Sequence, residues 1–261
     1  GVPAGQILAV TFTNKAASEM RKRALALLGL PESTPVSIGT FHSRCASILR
    51  RESARCGLSD RFQILDEDDQ IAVIKRVIQQ FAEREGCPFD PKKVKPSQIV
   101  EVISRAKQNM LGPDDIRDLD SFQNARIPYP ELYAAYQEIL ERSDAVDFDD
   151  LLVKVVRLWE EHPESLAWWR RRYPFVLVDE YQDTNAVQFR LLELLAGEHR
   201  NLCVVGDEDQ SIYSWRGADI RNLLEFQEHF PEARIIRLER NYRSTPQILA
   251  AAASVIQRNR Q

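Results

Sequence analysis

Residues 175–185 read FVLVDEYQDTN. Four apolar residues run directly into Asp179 and Glu180, and polar residues follow. A short apolar run bounded by turn signals is the pattern of a buried strand. Two carboxylates are therefore aimed out of the strand's C-terminal end. Acids in this place often serve as turn or helix-cap residues. They also stand where an open α/β sheet binds ligands, outside the carboxyl ends of its strands. The stretch alone leaves both readings open.

The same layout recurs along the chain. QILAVTF (6–12) reads as a buried strand and leads into a helical pattern, NKAASEMRKRALALLG, with Gly29 placed to end it. VSIGTFHS enters the helix SRCASILRRES. FVLV leads into AVQFRLLELLAG, and LCVVGD leads through a loop into ADIRNLLEFQEH. A last strand, RIIRLE, precedes a helix starting near Pro246. Alternating strands and helices predict a mostly parallel sheet covered on both faces. Between the units, residues 66–170 show helical periodicity and no convincing strand. Asp66, Ser97 and Asp147 are placed to cap helices there. One stripe carries Ile71, Ile74, Ile78 and Phe81, a second Ile99, Val102, Ile103, Ala106 and Met110, and a third Tyr133, Tyr136 and Leu140. The expected organisation is an α/β domain over 1–65 and 171–261 with an all-helical subdomain inserted at 66–170.

Composition bounds the function. The 261 residues are 44% hydrophobic and 28% charged, which suits a globular chain with a real core. The net charge of -4 excludes global basicity as a route to nucleic acid, so any such binding needs a local surface. Cys45, Cys56, Cys87 and Cys203 match no zinc spacing and read as ordinary thiols. Few scattered cysteines, no signal pattern and no long apolar run predict a cytoplasmic protein without a membrane span.

The acids gain meaning beside the next unit. An Asp after a buried strand can hold Mg²⁺, and a neighbouring Glu can orient or deprotonate an attacking water. LCVVGDEDQSIYSWRG repeats the layout of strand, small residue and acidic turn. It adds Gln210, Tyr213, Trp215 and Arg216 in one loop. A Gln near a hydrolytic centre can sense a γ-phosphate or orient water. A Tyr and a Trp beside an Arg suit stacking on unpaired bases, or simply pack a sheet edge. Gln210 and Trp215 are at most ~17 Å apart along extended chain, so one loop can touch phosphate at one end and a base at the other. Among the basic clusters, Lys92, Lys93 and Lys95 in a Pro-flanked loop are the better candidates for duplex phosphates. Trp159, Trp168 and Trp169 read as packing residues.

DEYQDTN, GDEDQSIYSWRGA and LERNYRS, in this order, resemble three successive motifs of the UvrD/PcrA/Rep family of superfamily 1 DNA helicases. TFTNKAASEM and GTFHS resemble two more, and the helical insert sits where that family inserts its smaller subdomain. The resemblance spans essentially the whole chain. It implies a RecA-like first motor domain of a 3′→5′ helicase that uses ATP and Mg²⁺. By position, Asp179 and Glu180 match the metal ligand and catalytic base. Gln210 and Arg243 match γ-phosphate contacts, and Tyr242 matches an adenine-stacking residue. Thr11, Phe12, Asn14, His42, Tyr213, Trp215 and Arg216 match positions lining the single-stranded DNA path. The implied partners are single-stranded DNA, single-strand/duplex junctions, and repair or replication proteins.

One departure stands out. None of the ten glycines is followed by Lys, so these residues contain no GxxxxGK[ST] phosphate loop. The family's later motifs are absent too. The expectation is a P-loop motor domain in incomplete form, unable by itself to hydrolyse ATP. RIIRLE is expected to lack its usual neighbour, leaving 231 onward mobile, repacked or paired with another chain. Two other readings stay open: a non-enzymatic module binding single-stranded DNA or a partner, and the motor part of a helicase–nuclease.

Overall fold

A computed structural model of the chain describes residues 1–83, 89–117 and 127–258. Cys87 lies outside them. The four predicted βα strands form one parallel sheet: β1 (Ile7–Thr11), β2 (Ser37–Thr40), β5 (Phe175–Val178) and β6 (Leu202–Val204), in the order β2-β1-β5-β6. Leu8 and Val10 pair in register with Val176 and Val178, so these four share one face. That face is buried under α2 (Phe41–Arg51), α7 (Phe148–Glu161) and α9 (Ala186–Ala196). The opposite face is only partly covered. α1 (Asn14–Leu27) packs over β1 and β2, where Ala9 is buried. Phe175, Leu177, Cys203 and Val205 remain exposed. The expectation of a sheet covered on both faces therefore holds at one end of it only.

Local signals placed most helices. Thr13 caps α1 by accepting from the Ala16 N–H, and Gly29 (φ 63°) ends it. The Leu30 N–H reaches Leu25 O and the Gly29 N–H reaches Ala26 O, the reciprocal pattern of a Schellman end. Thr40, Asp66, Asp147 and Asn185 each form a capping box with the residue three positions on. Ser97 does not cap. α4 (Pro96–Gln108) begins at the proline, which needs no N–H partner and presets φ. Lys92 and Lys93 sit on an exposed 3₁₀ turn capped by Asp90, with Lys93 Nζ 3.5 Å from its carboxylate.

The division between the cores differs from the expected division of the sequence. α3 (Glu67–Ala82), α4, α5 (Pro113–Arg117) and α6 (Tyr129–Arg142) enclose their own core of Ile74, Val77, Ile99, Ile103, Leu132 and Tyr136. α7 and α8 (Pro163–Arg172), expected in the insert, pack instead on the sheet through Leu151, Val155, Trp159 and Trp169. Periodicity shows that a helix has an apolar face but not which core receives it. The insert also holds one unexpected strand pair, since β3 (Gln63–Ile64) runs parallel to β4 (Ala145–Val146) and ties its entry to its exit.

The C-terminal part breaks the βα pattern, in line with the expected loss of a neighbour for RIIRLE. ADIRNLLEFQEH is two short helices, α10 (Arg221–Leu224) and α11 (Phe226–His229), broken at Glu225. RIIRLE forms no strand. Ile235, Ile236 and Leu238 are exposed, and an apolar strand without paired backbone or covered faces has nothing to stabilise it. α12 (Pro246–Ile256) follows with no buried residue. Among the described residues no helix is long and apolar enough to cross a membrane.

Candidate functional site

Parallel strands bring all their C-terminal ends to one edge. The residues after β1, β2, β5 and β6 therefore meet there, though they are far apart in sequence. Backbone bonds fix the acidic turn from both sides. The Asp179 N–H donates to Val10 O at 2.9 Å, the Tyr181 N–H to Val205 O at 2.9 Å, and the Val205 N–H to Val178 O at 2.8 Å. Between these anchors Glu180 adopts a left-handed conformation, φ 55° and ψ 43°. For a residue with a Cβ this costs about 1–2 kcal/mol. The Glu180 side chain is exposed.

Asp179 is half-buried, and the buried Thr11 hydroxyl donates to its Oδ2 at 3.4 Å. Burial, and then the charge of Glu180, hold the Asp179 carboxyl above the usual range. A divalent cation would reverse both effects, because it favours the ionised form. Oxygen donors of this kind suit a hard ion such as Mg²⁺, with Asp179 and Glu180 as the groups to hold it.

The loop after β6 is locked to this turn. Gln182 Nε2 donates to Glu180 Oε2 at 2.8 Å, and Gln182 Oε1 accepts from the Asp207 N–H at 3.1 Å. Asp207 in turn accepts from Gln210 Nε2 at 2.6 Å. Farther along, the Asp219 N–H and Asn222 Nδ2 both donate to Thr184 O, at 2.9 and 3.0 Å. Gln182 was not among the candidates read from sequence. The sequence shows only a glutamine two residues beyond an acidic pair, and its burial and its reach to Asp207 appear in the structure alone.

The other candidates are placed unevenly. Phe12 is half-buried and meets Phe41 edge-on at 6.3 Å, so it is part packing and part surface. Asn14 opens α1 and is exposed. His42 contacts Phe148 edge-on at 6.0 Å, and burial pulls its imidazole below the ordinary range. Thr11 turns its side chain inward to Asp179, which joins it to the carboxylate pair and not to an open surface. Tyr213 is half-buried with its ring 6.3 Å from that of Trp215, and Trp215 is 67% exposed. Arg216 is described in its backbone only, within the 3₁₀ turn Ser214–Arg216. Tyr242 and Arg243 stand apart from the sheet edge. Tyr242 is 81% exposed under the Arg240 guanidinium, and Asn241 Oδ1 accepts from the Arg243 and Ser244 N–H groups. A cleft of about 420 Å³ lies elsewhere, at the far end of α2, lined by Arg51, Glu52, Arg55 and Trp168. There Arg51 stacks on Trp168 at 4.3 Å, so that tryptophan packs as expected.

A parallel sheet with an acidic pair at its carboxyl edge is the arrangement in which open α/β folds bind their ligands. The model of the UvrD/REP helicase N-terminal domain matches residues 1–231, and the chain belongs to that family. It is 45% identical over 254 residues to the ATP-dependent DNA helicase PcrA of Staphylococcus epidermidis, covering 97% of this chain and 34% of that protein. It is 46% identical over 253 residues to the ATP-dependent DNA helicase PcrA of Bacillus subtilis, covering 97% and 33%. The chain thus spans about a third of the length of these curated relatives.

Proposed function

We propose that this chain is the first motor domain of an ATP-dependent 3′→5′ DNA helicase acting in repair or replication in the cytoplasm. The observation that carries this is the hydrogen-bonded path from Glu180 through Gln182 to Asp207 and Gln210, the start of the loop that exposes Trp215. ATP hydrolysis needs a metal-held triphosphate and an oriented water. Asp179 and Glu180 supply the metal position and the base, and Gln210 supplies a group at the γ-phosphate. Bound Mg²⁺ would neutralise charge on the phosphates. Tyr242 and Arg243, on their exposed turn, would reach the nucleotide only after that turn moves or packs.

Single-stranded DNA is assigned to the same edge. Asn14, His42, Tyr213 and Trp215 follow β1, β2 and β6 at one edge of the sheet, and Trp215 is largely exposed, as stacking on a base requires. These 261 residues alone are proposed not to hydrolyse ATP, because they carry no phosphate loop. The test is ATPase and strand-separation activity of the longer protein with and without Glu180→Gln. The reading requires DNA-stimulated hydrolysis that the variant loses. Hydrolysis that persists in the variant refutes it.

A further inference from the structure

Resting on that helicase reading, we propose that Gln182 is the positioning residue that ties the place of the Glu180 carboxylate to the loop at 207–216. Its orientation is forced. The Asp207 N–H is a donor and must meet the amide oxygen, so the amide nitrogen faces the Glu180 carboxylate. One planar group thus reads an acid at one end and holds backbone at the other. Gln182 is 1% exposed, so neither bond has water as a ready substitute. Its carbonyl also accepts from Ser211 Oγ at 3.4 Å, a second hold on the same loop.

The surroundings keep this strut tight. A Cβ built on Gly206 would fall 3.0 Å from Gln182 Oε1, closer than a side chain comfortably sits. Glycine there lets the loop backbone close onto the amide. The other end of the loop is held against the helical insert. Gly217 has φ 81°, and a Cβ on it would lie 2.3 Å from Gln108 Oε1 on α4. Gln108 Nε2 donates in turn to Asp149 Oδ1 at 3.2 Å on α7. The loop that exposes Trp215 therefore spans from the carboxylate turn to the insert. If the Glu180 carboxylate turned toward a bound cation, the bond it accepts from Gln182 would weaken. That change reaches the Asp207 amide directly, two bonds away through one rigid group.

The test uses amide NMR of the 261-residue chain with Mg²⁺ alone as the probe, comparing the parent with Gln182→Leu and Gln182→Glu. In the parent, Mg²⁺ is expected to shift the amides of Asp179 and Asp207 together. In Gln182→Leu the Asp179 shift should persist and the Asp207 shift should vanish. The Asp207 amide should also exchange about five- to tenfold faster, the factor for losing one hydrogen bond, with the Tyr181 amide unchanged. Gln182→Glu keeps the acceptor for Asp207 but opposes Glu180, so it should retain Asp207 protection and lose the Mg²⁺ response. Equal Mg²⁺ shifts at Asp207 in the parent and Gln182→Leu overturn the proposal. So does unchanged Asp207 exchange in Gln182→Leu, or lost Asp207 protection in Gln182→Glu. Absence of any Mg²⁺ shift at Asp179 in the parent refutes the metal reading instead, and the exchange comparison still decides the strut.

Discussion

Replacing Lys107 by Met should be among the most damaging single changes available. Lys107 sits on α4 with its side chain buried, between the two cores. Its Nζ lies 2.6 Å from Asp147 Oδ2 and 2.8 Å from Asp150 Oδ1, both at the start of α7. Tyr136 on α6 donates to the same Asp147 oxygen at 2.9 Å. Burial pushes the Asp147 carboxyl up against the pull of Lys107, while at Asp150 the same burial is outweighed and the net direction is down. Methionine keeps the bulk and removes the charge, which deprives the buried Asp147 and Asp150 of their shared ion-pair partner. Removing one partner of a buried pair costs about 3–5 kcal/mol. For a chain of this size that lowers the melting temperature by roughly 6–20 °C. The sign of the pH dependence follows. Without Lys107 the pull that opposes burial is gone, so the folded pKa values of both carboxyls move up. Stability then rises as pH falls through those raised values, so the penalty should be smaller at pH 5 than at pH 8. Urea titrations of parent and variant at the two pH values measure it. A double variant with Asp147→Asn, which keeps the cap on the Asp150 N–H, should recover part of the loss. A penalty below ~1 kcal/mol, the range of exposed pairs, would refute the reasoning. So would a penalty identical at both pH values.

Trp215→Ala should weaken binding of a labelled single-stranded oligonucleotide by roughly five- to 150-fold, the equivalent of the ~1–3 kcal/mol in a base–aromatic stack, and anisotropy that shows equal affinity in a folded variant refutes the stacking role. Asn185→Ala removes the side-chain acceptor for the Gln188 N–H, and denaturant titration should show a loss of about 1 kcal/mol; no loss means the cap is replaced by water. His42 is held below its ordinary value of 6.5 by burial, so its contribution to stability is present above pH 6.5 and declines as pH falls below it. His42→Gln should flatten the stability profile between pH 7 and pH 5, and an unchanged slope contradicts that assignment. The 261 residues alone should show no DNA-stimulated ATPase above a Glu180→Gln control, and any such activity would mean that other groups cradle the phosphates.

The sequence by itself determined what depends on near neighbours in the chain. The strands that precede Asp179 and Asp207 were legible because an apolar run between turn residues has few alternatives. The caps at Asp66 and Asp147 were legible because each bond closes within three residues. The motif residues at the sheet edge were legible too, since parallel strands must gather their carboxyl ends. Tertiary structure alone decided which distant groups meet. Thr11 reaches Asp179 across 168 positions, Lys107 reaches Asp147 across 40, and Gln182 reaches Asp207 across 25. It also decided that α7 and α8 serve the sheet core and that Glu180 takes a left-handed turn, whereas the unpaired state of RIIRLE was expected from its missing neighbour. RIIRLE has the composition of a strand, but a strand is a relation between two segments. The physical reason is common to all these cases: short-range hydrogen bonds and periodicity are properties of adjacent residues, whereas burial and pairing are set by whatever surface packing brings alongside.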